Sequence, residues 1–206
     1  MKCDIADGYY RLHLAIRDCP KLALAFPASM GDEPLVAIPL VLPMGWTNSG
    51  PAFCAATETI ADTTNAHLVS NKPSPVHPLD TQAQALDQTN NPAPDVKEKR
   101  NPCLKRPNAR RSAYVDVFVD DFIALCQGGA RQKSYVRRTL FKHIDDVLRP
   151  LDDQDDSARR EPISIKKLRK GDCSWATNKV ILGWIIDTVT QTCLLYTSDA
   201  ADDANC

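Results

Sequence analysis

The sequence predicts an α+β fold in which an antiparallel sheet carries helices on one face. The segment 114–126 reads YVDVFVDDFIALC, with β-branched and aromatic residues on both sides of Asp120-Asp121. This pattern is typical of two buried strands joined by a short polar turn. Between 131 and 149, apolar residues recur at helical spacing, as in a helix that packs on a sheet. Strands interspersed with two such helices favour this fold class.

Shorter runs predict the remaining elements. A helix is expected over 52–64, with Pro51 suited to its first turn. The N-terminus of that helix would direct free backbone N–H groups at whatever lies in front of it. Strands are expected over 2–5, 9–16, 22–26, 35–42, 163–168 and 180–186.

Composition is that of an ordinary globular protein. The 206 residues suffice for one substantial core, and 43% of them are hydrophobic and 25% charged. The formal net charge of −1 excludes a global basic field, so contact with nucleic acid would need a local patch. The eight cysteines contain no CxxC pair, which argues against a zinc site. With no secretory signal and no apolar run near the roughly 20 residues of a membrane helix, we expect a cytoplasmic or nuclear protein without membrane contact.

The segment 67–112 differs in character from its surroundings. Its prolines and sparse apolar residues predict a solvent-exposed, partly disordered insertion. Its second half is basic, which has two interpretations: a solvated charged surface, the more usual one, or a weak grip on a phosphate backbone. The candidate nucleic-acid contacts are Lys97, Lys99, Arg100, Arg110 and Arg111.

The pair Asp120-Asp121 has two interpretations of its own. Asp-Asp is a common turn dipeptide, but the four others in this chain lack apolar strands on both sides. Carboxylates at the end of a buried hairpin carry a desolvation cost unless a cation offsets it, and Mg²⁺ prefers such oxygen ligands. Asp4 also ends a predicted strand. If the two strands are neighbours, three carboxylates converge and suit two metal ions for a displacement at phosphorus.

Four blocks of the chain resemble, in order, the palm of a reverse transcriptase, most like those of gypsy-like LTR retrotransposons. The blocks are CDIADGYYRLHL (3–14), LPMGWTNSGPAF (42–53), FVDDF (118–122) and ILGWIID (181–187). The resemblance implies a polymerase palm-like antiparallel sheet with helices on one face. It also implies RNA-directed DNA synthesis, in which a dNTP is joined to a primer 3′-OH on a nucleic-acid template.

The first and third blocks would carry the chemistry. By resemblance, Asp4, Asp120 and Asp121 are the catalytic residues and hold two Mg²⁺ or Mn²⁺ ions. Tyr9 stands where the family places an aromatic ring that screens the 2′ position of the incoming nucleotide. A bulky ring there would clash with a 2′-OH and select deoxynucleotides.

The second and fourth blocks would position the substrates. The resemblance implies that the incoming nucleotide is contacted by Met44, Gly45 and Trp46. It implies that the primer 3′ end is braced by Leu182, Gly183 and Trp184. The family often has a lysine before this last block, proposed to protonate the leaving pyrophosphate. The sequence does not choose among the three candidates, which are Lys166, Lys167 and Lys170.

The resemblance assigns 1–192 to a partial reverse transcriptase domain, interrupted by the insertion at about 67–112. Fingers, thumb, protease, ribonuclease H and integrase regions do not fit within this sequence. We therefore expect little or no activity from the chain alone, and the rest of the retroelement polyprotein as its partner. Residues 193–206 begin CLLYTSDAADD, which resembles a translated sequencing-library adapter, and are expected to form no domain.

Two other functions stay open. The chain could be a non-catalytic retroelement remnant that at most binds nucleic acid weakly through its basic segment. It could also be a metal-dependent phosphohydrolase with a chance motif match, but that reading leaves Tyr9 and the block 42–53 unexplained.

Overall fold

The structure, a computed structural model, describes residues 1–27, 33–70, 72–90, 113–149 and 161–195. These ranges form a mixed α+β fold with four α-helices and three small antiparallel sheets. The helices are α1 (Ser49–Ser70), α2 (Pro78–Asn90), α3 (Ala130–Leu148) and α4 (Ile165–Leu168). The strands are β1 (Lys2–Asp4), β2 (Leu24–Ala25), β3 (Val36–Ala37), β4 (Ala113–Phe118), β5 (Asp121–Cys126), β6 (Asn178–Ile181), β7 (Trp184–Asp187) and β8 (Thr192–Leu195).

The main sheet has the strand order β1-β5-β4, and α1 and α3 pack against it. This arrangement confirms the predicted α+β class. Alternate residues of the central strand, Phe122 and Ala124, are fully buried together with Val115 of β4. They meet Ile60 of α1 and Leu140 of α3 in one core cluster. Because side chains alternate across a strand, the residues between them lie on the opposite face of the sheet.

The two longest predictions are confirmed. The strands around Asp120-Asp121 form an antiparallel hairpin in which Phe118 pairs with Asp121 across a two-residue turn. Helix α3 lies within one residue of the range predicted for it, and its stripe of buried apolar residues recurs every four positions. The members of this stripe are Val136, Leu140, Ile144 and Leu148.

Helix α1 is longer than predicted at both ends. It begins at Ser49, so Pro51 lies in the first turn, where its missing N–H removes no helical hydrogen bond. Near its end, the Asn65 amide donates to the Val115 carbonyl (2.7 Å) and accepts from the Val115 N–H (2.9 Å). These two bonds satisfy backbone groups at the free edge of β4 and join the helix to the sheet.

Several short strand predictions are wrong. The range 9–16 begins in a 3-10 turn, Gly8–Arg11, and its alternation does not produce a continuous buried face: Leu12 packs against the core, whereas Ile16 is 90% exposed. Of this range, His13 makes an isolated bridge to Val41. The ranges 22–26 and 35–42 reduce to the two-residue strands β2 and β3. Alternation alone did not distinguish these loops from strands, since a strand also needs a partner and a core.

Two later predictions fail for a related reason. The range 163–168 contains α4 rather than a strand, and Ile163 makes an isolated bridge to Ile5. The range 180–186 is a hairpin of β6 and β7, because Leu182 (φ 51°) and Gly183 (φ 79°) reverse the chain. Positive φ at both central residues is characteristic of the tightest hairpin turns.

Part of the proline-rich segment is ordered. Pro78 begins α2, a position at which proline fits, and one face of that helix is buried through Leu79, Asp80 and Ala83. The solvent-exposed insertion predicted for 67–112 thus contains a helix whose buried face the sequence did not indicate. The residues 91–112, with the five candidate basic contacts, lie outside the described residues.

The third sheet has the order β6-β7-β8. Its last strand includes the first residues of the segment expected to be adapter-derived, and all four of its residues are exposed. The origin of that segment stays a prediction. Across the ranges described above, no helix has both the length and the apolar character that a bilayer crossing requires.

Candidate active site

The register of the main sheet brings two of the three predicted carboxylates together. Strands β1 and β5 are antiparallel neighbours, and Asp4 is paired directly with Asp121. Residues paired across a sheet point to the same face, with Cβ atoms about 5 Å apart. This face is the one opposite Phe122 and the helices. Asp4 is nevertheless only 5% exposed, because the segment that contains Glu161 to Cys173 runs along the free edge of β1 and covers it.

Asp120 lies in the turn of the hairpin, next to this pair. Its neighbour Val119 has φ 58°, in the left-handed region that β-branched residues rarely adopt. Such backbone strain persists only where the surroundings enforce it, and it is frequent at functional sites. Here the short turn follows from the pairing of Phe118 with Asp121, which leaves two residues to reverse the chain.

Each paired carboxylate contacts a lysine. Lys167 of α4 donates to Asp4, with Nζ to Oδ1 at 2.5 Å. Lys2 of β1 lies 3.2 Å from Asp121 Oδ1, and it reaches this atom diagonally because its own partner in the register is Ile123. The two ammonium groups therefore offset part of the negative charge on this face.

The protonation behaviour of Asp4 reflects its surroundings. Burial raises its pKa above the ordinary value; the Lys167 hydrogen bond opposes this, and the charges of Asp120 and Asp121 add to it. The pKa of Lys167 is also raised, first by its hydrogen bond to Asp4. The pKa of Asp4 is thus raised because desolvation and the nearby like charges together outweigh the lysine contact. A divalent cation bound to these carboxylates would offset both effects.

The donor chemistry fits a hard divalent cation. Carboxylate oxygens are the ligands that Mg²⁺ and Mn²⁺ prefer, and Asp4, Asp120 and Asp121 supply them at one end of adjacent strands. In the structure, these three residues do not bring one oxygen each within 4.8 Å of one another. Lys2 and Lys167 each contact one oxygen of these carboxylates, so they would compete with a bound cation for those oxygens.

A second group of potential ligands has a different explanation. Among the described residues, His77, Asp145 and Glu161 bring one ligand atom each within 4.8 Å of one another. His77 Nδ1 accepts the backbone N–H of Leu79, so the ring proton is on Nε2 and is donated to Asp145 (3.1 Å). Arg149 pairs with both carboxylates. The group is a network of ion pairs, and its imidazole has no free lone pair for a metal.

Tyr9 is held by an aromatic contact with α1. Its ring stacks on Phe53, with centroids 4.6 Å apart. Gly8 permits this approach, because a Cβ there would lie 2.5 Å from the Phe53 ring. The turn that presents Tyr9 begins at Gly8, with three residues between it and the end of β1, and it directly follows Asp7 in the left-handed region (φ 54°). A short connection thus links the aromatic ring to the strand that carries Asp4.

The predicted nucleotide-contact loop precedes α1. Met44 is 67% exposed, and Gly45 has φ 90°, a conformation that glycine adopts without strain. Trp46 is half-buried, and its carbonyl accepts the Ser49 N–H (2.9 Å), while the Ser49 hydroxyl donates to Pro43 (2.7 Å). These bonds close the loop against the start of the helix.

The residues predicted to brace a primer lie in the third sheet. Leu182 and Gly183 are the turn of the β6–β7 hairpin, and Trp184 begins β7. Leu182 and Trp184 are 43% and 46% exposed. The tip of this hairpin thus exposes two large apolar side chains.

No protein-family model matches this chain, and no curated protein matches it significantly. The resemblance to reverse transcriptases therefore rests on the four sequence blocks.

Sequence reasoning missed Lys2 and did not choose among three candidate lysines. Lys2 could have been noticed from its position two residues before Asp4, on the same face of the strand. Lys167 is distinguished only by tertiary structure, which places its ammonium against Asp4.

Proposed function

We propose that this chain is the palm portion of a retroelement reverse transcriptase, an RNA-directed DNA polymerase that joins a dNTP to a primer 3′-OH. The observation that carries the proposal is the register of β1 and β5, which pairs Asp4 with Asp121 beside Asp120 in the adjacent turn. The order of the four blocks supports it. In this proposal the main sheet is the polymerase palm, with α1 and α3 behind it.

The three carboxylates would hold two Mg²⁺ or Mn²⁺ ions. When bound, these ions supply charge neutralisation and orientation for an in-line displacement at the α-phosphorus of a dNTP. The protein contributes the placement of the ligand-bearing backbone: Asp4 and Asp121 are held by the strand register and Asp120 by a two-residue turn. Such fixed positioning is the main requirement of phosphoryl transfer, which demands little covalent chemistry from the protein.

Two neighbouring residues would select the substrate and assist the leaving group. Tyr9 is pinned by Phe53, so its ring cannot easily swing aside to admit a 2′-OH. Of the three candidate lysines, Lys167 is the one whose ammonium contacts Asp4, and we assign it the role of general acid toward pyrophosphate. A lysine ammonium carries its proton at neutral pH, as a general acid must before it donates.

Manganese binding tests the metal site directly. We expect electron paramagnetic resonance titration to show that Asp120→Asn weakens Mn²⁺ binding at least about tenfold, since one of three anionic ligands is lost. The matched control is Asp116→Asn, which makes the same change at an exposed position of the same hairpin. Equal Mn²⁺ affinity in wild type and Asp120→Asn would refute the proposal.

Primer extension tests the reaction. With Mg²⁺ or Mn²⁺, a primer-template and dNTPs, we expect little or no synthesis from this chain by itself. Robust synthesis that Asp120→Asn abolishes would overturn this expectation of inactivity while supporting the polymerase assignment.

The second candidate is a non-catalytic remnant. It is favoured by one observation: Lys2 and Lys167 already pair with two of the carboxylates, as in a purely structural charge cluster. A remnant that only binds nucleic acid would show salt-sensitive binding with no dependence on divalent metal.

A further inference from the structure

Two buried cysteines lie side by side at the free edge of the main sheet. Cys3 in β1 is fully buried and Cys173 is 1% exposed, and their sulfur atoms are 3.0 Å apart. The two residues are separated by 170 positions along the chain. Both are free thiols in the structure.

The contact between the sulfurs is held from both sides. The Cys173 N–H donates to the Lys2 carbonyl (2.5 Å), which joins the backbones next to the thiols. On the other side, the Cys173 carbonyl accepts from Arg137 (3.1 Å), and Lys179 donates to the carbonyl of Gly171 (2.8 Å). Cys173 also has φ 65°, a conformation that a non-glycine residue keeps only when its surroundings enforce it. The thiols are thus brought together by fixed elements.

We propose that Cys3 and Cys173 form an oxidisable dithiol, which closes to a disulfide and fastens the segment 161–173 to the edge of β1. This site is independent of the proposed polymerase function. The segment already follows β1 through the bridge of Ile163 to Ile5 and a hydrogen bond from the Ser164 N–H to the Asp4 carbonyl (3.0 Å). A disulfide would make that attachment covalent.

The oxidant is a small-molecule disulfide such as oxidised glutathione. One cysteine, as its thiolate, attacks a glutathione sulfur; a mixed disulfide forms and one glutathione thiolate leaves. The second cysteine loses its proton and attacks the protein sulfur of the mixed disulfide, which releases the second glutathione. The two cysteines together lose two electrons and two protons, and one glutathione disulfide becomes two glutathione thiols.

Burial determines the kinetics of this exchange. Because both thiols are covered, the oxidant reaches them only when the edge segment opens, so we expect slower modification than at the exposed Cys193. The same burial shields the closed disulfide from reductants. Since the bond joins residues far apart in sequence, it also restricts the unfolded chain, and oxidised protein should unfold at higher urea concentration.

Peptide mapping tests the pairing in the full chain. The folded protein is incubated with oxidised glutathione, its free thiols are blocked with N-ethylmaleimide in denaturant, and it is digested with trypsin without reductant. We expect the peptides 3–11 and 171–179, which contain Cys3 and Cys173, to be recovered joined, two hydrogens lighter than their sum. The urea midpoint of the oxidised chain should exceed that of the reduced chain.

Two further measurements keep the test specific. Cys126→Ala, which removes a half-buried cysteine elsewhere in the sheet, should leave the cross-link and the urea shift unchanged, whereas Cys173→Ala should abolish both. Recovery of Cys3 and Cys173 as maleimide adducts after oxidation, or of Cys3 joined to another cysteine, would overturn the proposal. Mapping wild-type protein suffices for this decision even if a cysteine variant fails to fold.

Discussion

Asp4 and Asp121 illustrate how a few side chains decide the character of the candidate site. Lys2 lies on the same strand as Asp4 but contacts Asp121, and Lys167 reaches Asp4 from the helix that covers it. Both lysines stabilise the acids in the absence of metal and compete with any cation that binds there. Removal of either lysine should therefore lower the stability of the fold and raise its affinity for a metal ion.

Lys2→Met tests this competition. The side chains of Lys2 and Asp121 are 20% and 17% exposed, so we expect the variant to lose about 1 kcal/mol of unfolding free energy. Without the competing ammonium, Mn²⁺ should bind roughly threefold to tenfold more tightly. Urea unfolding and Mn²⁺ titration measure the two effects.

The control for Lys2 is Lys142→Met. This substitution breaks a Lys–Asp pair on α3, where Lys142 contacts Asp146 four residues along the helix. It should cost a few tenths of a kcal/mol and leave Mn²⁺ affinity unchanged. If Lys2→Met also left the affinity unchanged, Lys2 would not compete for the site.

Asp4→Asn tests the cost of burying the carboxylate. Because the folded-state pKa of Asp4 is raised above its unfolded value, ionised Asp4 destabilises the fold at pH above that folded-state pKa. This destabilisation is lost as the pH falls to the unfolded-state pKa and below, where Asp4 is protonated in both the folded and the unfolded protein. We therefore expect Asp4→Asn, which still offers Lys167 an oxygen acceptor, to be more stable than wild type at pH 7.

This stability difference should shrink as the pH is lowered from 7 toward 4. Urea midpoints of both proteins across that range measure it. A variant that is less stable than wild type at pH 7 would contradict the prediction, because the lysine contact would then outweigh burial.

At the scale of elements, α2 owes its position to buried charge. Arg137 of α3 is fully buried and donates to Asp80 (2.8 Å) and to Asp87 (2.8 Å) of α2. Asp87 also accepts the backbone N–H of Trp175 (2.6 Å), which connects α2 to the segment before β6. A helix within a polar, proline-rich segment is thus joined to the core by ion pairs in place of a broad apolar face.

Arg137→Met should weaken the attachment of α2 to α3. Removal of the arginine leaves two largely buried carboxylates without their main cation, and we expect a loss of about 3–5 kcal/mol in unfolding free energy. Arg138→Met is the matched control, since Arg138 is 3.6 Å from Asp80, partly exposed, and should cost under about 1 kcal/mol. Urea unfolding measures the loss of unfolding free energy in each variant. Equal losses would show that the buried ion pairs of Arg137 stabilise the fold no more than the partly exposed pair of Arg138.

Elements with strong, long patterns were predictable and short ones were not. Helix α3 and the β4–β5 hairpin have enough apolar residues at one period to fix their type. The ranges around Tyr9 and Gly183 alternate over only a few residues, where strand and turn have similar sequence signals. The conformations of these ranges depend on contacts with residues distant in the sequence, such as the stacking of Tyr9 on Phe53.

At the scale of the whole molecule, the net charge of −1 means that affinity for nucleic acid must be local. The candidate is the basic segment that lies outside the described residues. Its contribution can be tested by neutralising Arg110 and Arg111 together. We expect Arg110→Gln with Arg111→Gln to weaken binding to a fluorescent primer-template and to reduce the salt slope by about 2, one per lost phosphate contact.

The control for this measurement removes the same charge elsewhere. Arg17→Gln with Arg131→Gln changes two exposed arginines outside the basic segment and should leave the salt slope of fluorescence anisotropy titrations unchanged. Equal slopes in both double variants would exclude the basic segment as the binding surface.

We could predict the α+β class, the carboxylate hairpin and the long helix on the sheet without any structure. These features follow from local periodicity, and a strand or helix of sufficient length carries its own signal. Tertiary packing, in contrast, sets β1 beside β5 and so pairs Asp4 with Asp121. It also decided that Lys167 reaches Asp4, and that Cys3 meets Cys173. Such contacts join residues more than a hundred positions apart, and no local pattern specifies which distant segment covers a given strand edge.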